Sequence, residues 1–149
     1  MPDIELVFRE EGPAIWRALY AFTGGRRGTA DDAMAEAFAR AIASREEIRD
    51  PAAWIYRVSF RLAARELRGT PRFDEEARVA PTAPAESPDL LPALRRLSPN
   101  QRAAIVLVFE EGLSVAETAK RLGIAPATVR VHIHRGRKRL RELLGQEEA

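Results

Sequence analysis

Apolar positions in residues 1–68 recur at helical spacing. Ile4, Phe8, Ile15, Leu19 and Phe22 fall on one stripe, because residues four, seven or eleven apart share a helix face. Gly12-Pro13 interrupts that stripe and is expected to kink or split the helix, since proline lacks the amide hydrogen. The loop Thr23-Gly24-Gly25-Arg26-Arg27-Gly28 comes next. Thr29 is the expected N-cap of a second helix, with Asp31 and Asp32 in the first turn, where the helix dipole favours acids. Met34, Phe38, Ala41 and Ile42 are its predicted buried face. Asp50 caps a third helix and Pro51 occupies its first position, where no amide hydrogen is missed. That helix is predicted to run to about Arg68, with Ile55, Val58 and Leu62 facing the core.

The second half is punctuated more sharply. Leu90 to Leu97 reads as a short helix, and Ser98-Pro99-Asn100-Gln101 as a capping box with proline at the first helical position. The next helix runs through Ala104 to Phe109 and stops at Gly112. Ser114-Val115-Ala116-Glu117 is a second capping box, opening a short helix that Gly123 ends, since glycine accepts the left-handed conformation. Pro126 opens a last helix to about Leu144. No stretch alternates as a strand does, so the predicted class is all-α. Two small helical domains, 1–68 and 90–149, flank a linker at 69–89. Five of the ten prolines fall between Gly69 and Pro92, and that stretch has little periodicity. Fully extended, twenty such residues reach roughly 66 Å.

Charge changes this picture. Residues 1–68 carry 11 basic and 11 acidic side chains; residues 93–149 carry 11 and 6, and within 114–144 the count is 8 and 2. The stretch from 69 to 92 is acidic, with 5 acids against 2 bases. A cationic C-terminal module points to a polyanionic partner. The chain has no cysteine, which excludes disulfides and thiolate metal sites. No apolar run approaches the ~20 residues of a membrane span, and the N-terminus lacks the pattern of a signal peptide. A cytoplasmic, nucleoid-associated protein with no membrane insertion is expected.

The segment Leu113–Leu140 reads as a helix-turn-helix: a short capped helix, a glycine turn and a longer basic helix. Ala116 and Ala119 are small enough for close packing, Ile124 fills the turn, and Val129, Ile133, Gly136 and Leu140 face inward. The opposite face presents Ala127, Arg130, Val131, His134 and Lys138. Short Ala127 and Val131 let the backbone approach base edges, and Arg130 is suited to guanine or phosphate. Thr128 and the helix-start amides suit phosphate oxygens, while Arg135, Arg137, Lys138, Arg139 and Arg141 add sequence-independent attraction. His132 and His134 stand about 200° apart on a helix and cannot share a metal ion. Gly24-Gly25-Arg26-Arg27-Gly28 lacks the Gly-Lys-Ser/Thr ending of a nucleotide loop. No catalytic set, metal site or cofactor is expected.

The chain resembles bacterial sigma-70 family sigma factors of the extracytoplasmic-function (ECF) group. The second half is similar to their region 4 through Leu97-Ser98-Pro99-Asn100-Gln101-Arg102, Glu111-Gly112-Leu113-Ser114, Ala116-Glu117, Leu122-Gly123-Ile124, Thr128-Val129 and His134-Arg135-Gly136-Arg137-Lys138-Arg139-Leu140. The first half is similar to region 2 through Ala30-Asp31-Asp32, Glu36-Ala37-Phe38-Ala39-Arg40-Ala41, Asp50-Pro51-Ala52-Ala53-Trp54-Ile55-Tyr56-Arg57-Val58 and Leu67-Arg68.

The resemblance implies a sigma factor that directs RNA polymerase core to promoter DNA, with an anti-sigma factor as a possible partner. Asp32, Glu36 and Phe38 would dock on the core. The loop from Ser44 to Asp50 and the helix after it would read and melt the −10 element. There Arg57, Arg61, Arg65 and Arg68 form a cationic stripe suited to single-stranded DNA, with Trp54 and Tyr56 beside it and read as core residues. The helix-turn-helix would read the −35 element and touch the flap of the second-largest subunit. The family usually has Gln, Asn and Asp where Ala35, Arg61 and Arg65 stand, which shifts this half from base reading towards phosphate binding.

Two other readings stay open on the sequence. Thr128-Val129-Arg130-Val131-His132-Ile133 also resembles the LuxR-type helix-turn-helix of regulators that act without core polymerase. A sigma-like decoy would bind polymerase or an anti-sigma partner without initiating transcription.

Overall fold

A computed structural model describes residues 4–44, 47–69 and 90–145. Residues 70–89 of the predicted linker therefore lie outside the described residues, as do Arg45 and Glu46 of the loop before the third helix, while Gly69 ends the third helix. The described residues are helical, with no strand among them. In chain order the helices are α1 (Ile4–Phe22), α2 (Arg27–Ala43), α3 (Pro51–Gly69), α4 (Leu90–Arg95), α5 (Pro99–Ile105), α6 (Val115–Leu122) and α7 (Pro126–Leu143). A single π-helical turn, Val106–Glu110, extends α5.

The first three helices pack on one another around Ile15, Leu19, Phe22, Ala30, Ala37, Phe38, Ile55, Phe60 and Ala63, all buried. Alanine supplies most of the α2 face, so α2 lies close against its neighbours. Phe22 and Phe60 stack with ring centroids 4.7 Å apart. Asp50 caps α3 as expected, accepting from the Ala53 amide at 3.2 Å.

Several positions differ from expectation. α1 is one continuous helix with Pro13 inside it. Proline falls on its exposed side and Gly12 on its buried side. Thr29 does not cap α2: the helix already begins at Arg27, and Thr29 is buried with its hydroxyl 3.5 Å from Glu66 Oε2. The Thr23 hydroxyl instead accepts from the Arg26 amide at 3.1 Å, closing the Gly24-Gly25 turn one residue before the helix. Ile42 is 72% exposed, because the buried face of α2 follows Ala30, Ala33, Ala37 and Ala41. Val58 and Leu62 are only half-buried, and Phe60 and Ala63 take the deeper positions.

The second helical unit packs directly on the first, and one hydrophobic cluster runs from Ile15 and Phe22 through Leu94, Leu97, Ala103, Ile105, Val106 and Leu107. Arg102 is the polar pin of this contact. Its side chain is buried, donates to the Phe22 carbonyl and to the Leu97 carbonyl at 3.0 Å each, and lies 4.7 Å from the Phe22 ring centroid. Burial and the nearby Arg95 charge lower its pKa to about 10, which leaves it cationic at neutral pH. Arg95 in turn donates to the Gly24 carbonyl at 3.1 Å.

Removing the guanidinium strands two buried acceptors, at a cost of about 2–4 kcal/mol. Arg102→Ala is therefore expected to lower the urea midpoint sharply. Arg102→Lys should recover only part of the loss, because one ammonium cannot reproduce the planar fork.

Candidate nucleic-acid interface

The helix-turn-helix forms as its sequence dictates. The Ser114 hydroxyl accepts from the Glu117 amide at 3.0 Å, and Glu117 Oε1 accepts from the Ser114 amide at 2.9 Å, so the capping box is complete. Those two bonds hold the Glu117 carboxyl below its usual range. Gly123 ends α6 at φ +74°, donating to the Ala119 carbonyl at 2.8 Å. Its hydrogen side chain also matters: a Cβ there would meet Arg57 Cδ at 2.9 Å. Pro126 starts α7. Ala104, Ala119 and Val129 are buried together, with Val115, Ile124 and Ile133 packed around them. Ala116, expected at this contact, is exposed, and Thr118 is buried instead.

α7 is anchored along one side and free along the other. Val129 and Gly136 are buried, and Ile133 and Leu140 half-buried. At Gly136 a Cβ would stand 3.0 Å from Ile105 Cγ1, so glycine lets α5 press against the long helix. Ala127, Thr128, Arg130, Val131, His134, Arg135 and Lys138 are all exposed. Ala127, Val131, His134 and Lys138 form the crest, since offsets of four, seven and eleven return to one face. His132 turns towards the protein, where burial and then Arg135 lower its pKa.

A groove lies on each side of the crest. One, of about 470 Å³, is lined by Val115, Arg130, Ile133, His134, Arg137 and Arg141. The other, of about 270 Å³, is lined by Arg96, Gln101, Arg135, Lys138, Arg139 and Glu142. The first has no acidic lining residue; in the second, Glu142 pairs with Arg139 at 3.4 Å. A ridge flanked by two cationic channels matches a helix laid in the major groove between two phosphate backbones. Arg96 lies outside the helix-turn-helix segment and joins this face only through the tertiary fold. Arg137 and Arg141, expected as diffuse charge, line a defined groove.

The α3 stripe is placed differently. Arg61, Arg65 and Arg68 are exposed. Arg57 is half-buried and donates to the Lys120 carbonyl of α6 at 3.2 Å. It thus belongs to a polar seam between the two units. There Lys120 stands 3.7 Å from Asp50, Arg121 lies 5.1 Å from the Tyr56 ring centroid, and Arg17 pairs with Glu111 at 3.2 Å. Tyr56 is buried, as its core reading requires, and Trp54 is half-buried. On α2, Asp32 and Glu36 are exposed, and Glu36 pairs with Arg40 at 2.9 Å. Phe38 is only 6% exposed and packs edge-on against Phe8. It supports that helix from the core and offers no docking surface. Among the described residues, no helix is long and apolar enough to cross a membrane.

Residues 7–73 match the family model described as Sigma-70 region 2, and residues 89–140 match Sigma-70, region 4. The chain is 31% identical over its whole length to the ECF RNA polymerase sigma factor SigE of Mycolicibacterium smegmatis. It is 36% identical over 78% of its length to the ECF RNA polymerase sigma factor SigM of Mycobacterium tuberculosis. The match to the RNA polymerase sigma factor CarQ of Myxococcus xanthus is 42% over 58% of the chain and 48% of that protein. The chain spans 64% of the length of the SigE and SigM relatives. In fold it is similar to the sigma factor RpoE of Bartonella quintana, solved in complex with the anti-sigma factor NepR. The TM-score is 0.63 at 24% identity, over 94% of this chain and 98% of that one.

Burial first, and then the Glu111 charge, push the Tyr56 phenol up to about 12. In the unfolded chain the phenol titrates near ~10. A pKa raised by folding contributes stability in full below the unfolded value and loses it as pH rises through the folded one. The Tyr56 contribution to unfolding free energy is therefore expected to fall between about pH 10 and 12, against the opposite contribution of Arg102, whose pKa is lowered to about 10. Tyr56→Phe should remove this contribution, so its stability is expected to rise relative to that of the unaltered chain as pH goes from about 10 to 12 in parallel urea titrations.

Proposed function

This chain belongs to the sigma-70 family, and on that premise we propose that it is a sigma factor that directs RNA polymerase core to specific promoters. The observation that carries the reading is the exposed crest of α7 with a cationic groove on each side. Ala127, Thr128, Arg130, Val131, His134, Arg135 and Lys138 read the −35 element there. Arg130 and Lys138 supply the donors that base edges or phosphates accept.

The first unit, residues 1–68, is the second grip. Arg57, Arg61 and Arg65 bind the −10 region, mainly through phosphates, because their charges stand where base-reading side chains are usual. Asp32 and Glu36 present the carboxylates through which α2 meets the core. Residues 69–89 link the two grips. The chain contributes binding and positioning, and the chemistry of initiation belongs to the polymerase, so it is not itself an enzyme. It acts in the cytoplasm on the nucleoid. An anti-sigma factor is a fitting regulatory partner, since two exposed recognition faces must be kept from promoters until needed.

Purified chain with core polymerase is expected to initiate transcription from promoters selected by the complex, and the chain alone should not. Arg130→Ala should weaken the preference for the −35 sequence by about 1–3 kcal/mol, read as the ratio of transcripts from matched and mismatched templates. Tight, specific DNA binding without core would favour a LuxR-type regulator instead. Core binding without initiation would favour a decoy.

A further inference from the structure

Phe109 is a large apolar side chain that the fold leaves in solvent, 55% exposed, beside the basic face of α7. Its position comes from the π-helical turn Val106–Glu110, where Glu111 donates to the Val106 carbonyl five residues back at 3.1 Å. A π turn takes one residue more than an α turn, so later residues are displaced by roughly 100° around the axis. Val106 and Leu107 stay in the core, while Phe109 faces outward towards α7.

The group that Phe109 meets there is a cation. The Arg137 guanidinium carbon lies 5.5 Å from the centre of its ring, within the range where the ring quadrupole attracts a positive charge. Arg137 also lines the 470 Å³ groove with Arg130, His134 and Arg141. No carboxylate is among the described residues that line the groove, so these arginines meet no counter-charge from its walls. A free arginine side chain gives up rotamer entropy when it orders on a ligand, and a planar fork already held in place gives up less.

We propose that Phe109 is a positioning residue for DNA binding: it holds Arg137 over the groove as a preset donor to one backbone phosphate of the duplex. This deepens the DNA-binding reading of α7 and rests on it. Phe109 contributes no base contact, so its effect is the same on every sequence. It acts through Arg137 alone, so it has no effect once that side chain is gone.

The test uses the full chain and a fluorescent mixed-sequence 30-base-pair duplex, with anisotropy followed from 50 to 200 mM KCl. Arg137→Ala is expected to weaken binding and to lower the slope of log affinity against log salt by about 0.9, the value of one phosphate contact. Phe109→Ala should weaken binding about two- to fivefold. It should have no further effect in the Arg137→Ala background. Phe109→Trp should restore affinity, because its ring attracts cations at least as well. Phe109→Leu should not, because it keeps apolar bulk without a quadrupole. The proposal is overturned if Phe109→Ala binds as the unaltered chain does, if Phe109→Leu restores binding, or if the two alanine changes are additive. A silent Phe109→Ala beside a weakened Arg137→Ala sinks the positioning role and leaves the DNA-binding reading standing. Absence of salt-dependent duplex binding by the unaltered chain overturns the proposal, while initiation with core polymerase tests the proposed function separately.

Discussion

The fold turns on the carbonyl end of α1. A helix leaves its last carbonyls without internal partners, and burying them unpaired is costly. Here the Phe22 carbonyl takes a donor from Arg102 and the Gly24 carbonyl takes one from Arg95. Both arginines come from the second half of the chain. The first helical unit therefore has its α1 terminus completed by the second. Arg102 also reaches the Leu97 carbonyl, so one guanidinium fixes the entry to α5 as well. The apolar cluster shared across the two halves depends on this contact, because the bonds and the Phe22 ring bring Leu94, Leu97 and Ala103 to the core. The direction of α7 depends on it in turn, since Gly136 lets Ile105 of α5 press directly on it.

That chain of contacts explains why only one side of α7 is free. Val129 and Gly136 are committed to packing and cannot turn towards a ligand. The side chains left outward between them are Arg130, Val131, His134 and Arg135, and Arg137, Lys138, Arg139 and Arg141 continue the exposed basic face beyond Gly136. The crest and its cationic grooves are thus the complement of the packing face. Arg96 joins it because α4, fixed by the Arg95 contact, ends beside the same groove as Arg135 and Lys138.

Local chemistry is the legible part of this molecule. Both capping boxes, the Asp50 cap, the left-handed Gly123 and the start of α7 at Pro126 can be read from sequence, because each depends on residues within four positions. The exposed residues of α7 are legible for the same reason: one periodicity separates Val129 and Gly136 from Ala127, Val131 and Lys138. The positions that sequence misplaces depend on distant partners. Apolarity alone turns Ile42 inward, but the small alanines of α2 seat that helix so that position 42 faces solvent. The resemblance gives Phe38 to docking by its neighbourhood, while its ring completes the contact with Phe8. Thr29 carries a capping side chain, yet the Thr23 hydroxyl already closes the preceding turn. The π turn has no sequence signature here, and the buried Arg102 looks like any basic residue of a first helical turn.

The seam between the units joins these two levels. Arg57 is one of four arginines spaced along α3, and by sequence the four are equivalent. The fold makes them unequal: Arg61, Arg65 and Arg68 stay in solvent, while Arg57 commits a donor to the Lys120 carbonyl and lies against Gly123. One of the five N–H donors of its guanidinium is committed to that carbonyl, which holds the side chain against α6. Freeing that donor as well for nucleic acid requires α6 to withdraw, carrying Lys120 from Asp50 and Arg121 from Tyr56. Those contacts are polar and partly exposed, and exposed ion pairs are individually weak. The apolar cluster and Arg102 hold the units far more firmly than the seam does. The grip on DNA by α7 needs no such rearrangement, because no described residue covers its crest. The two halves of the binding surface thus differ in readiness, and the difference comes from the placement of one arginine.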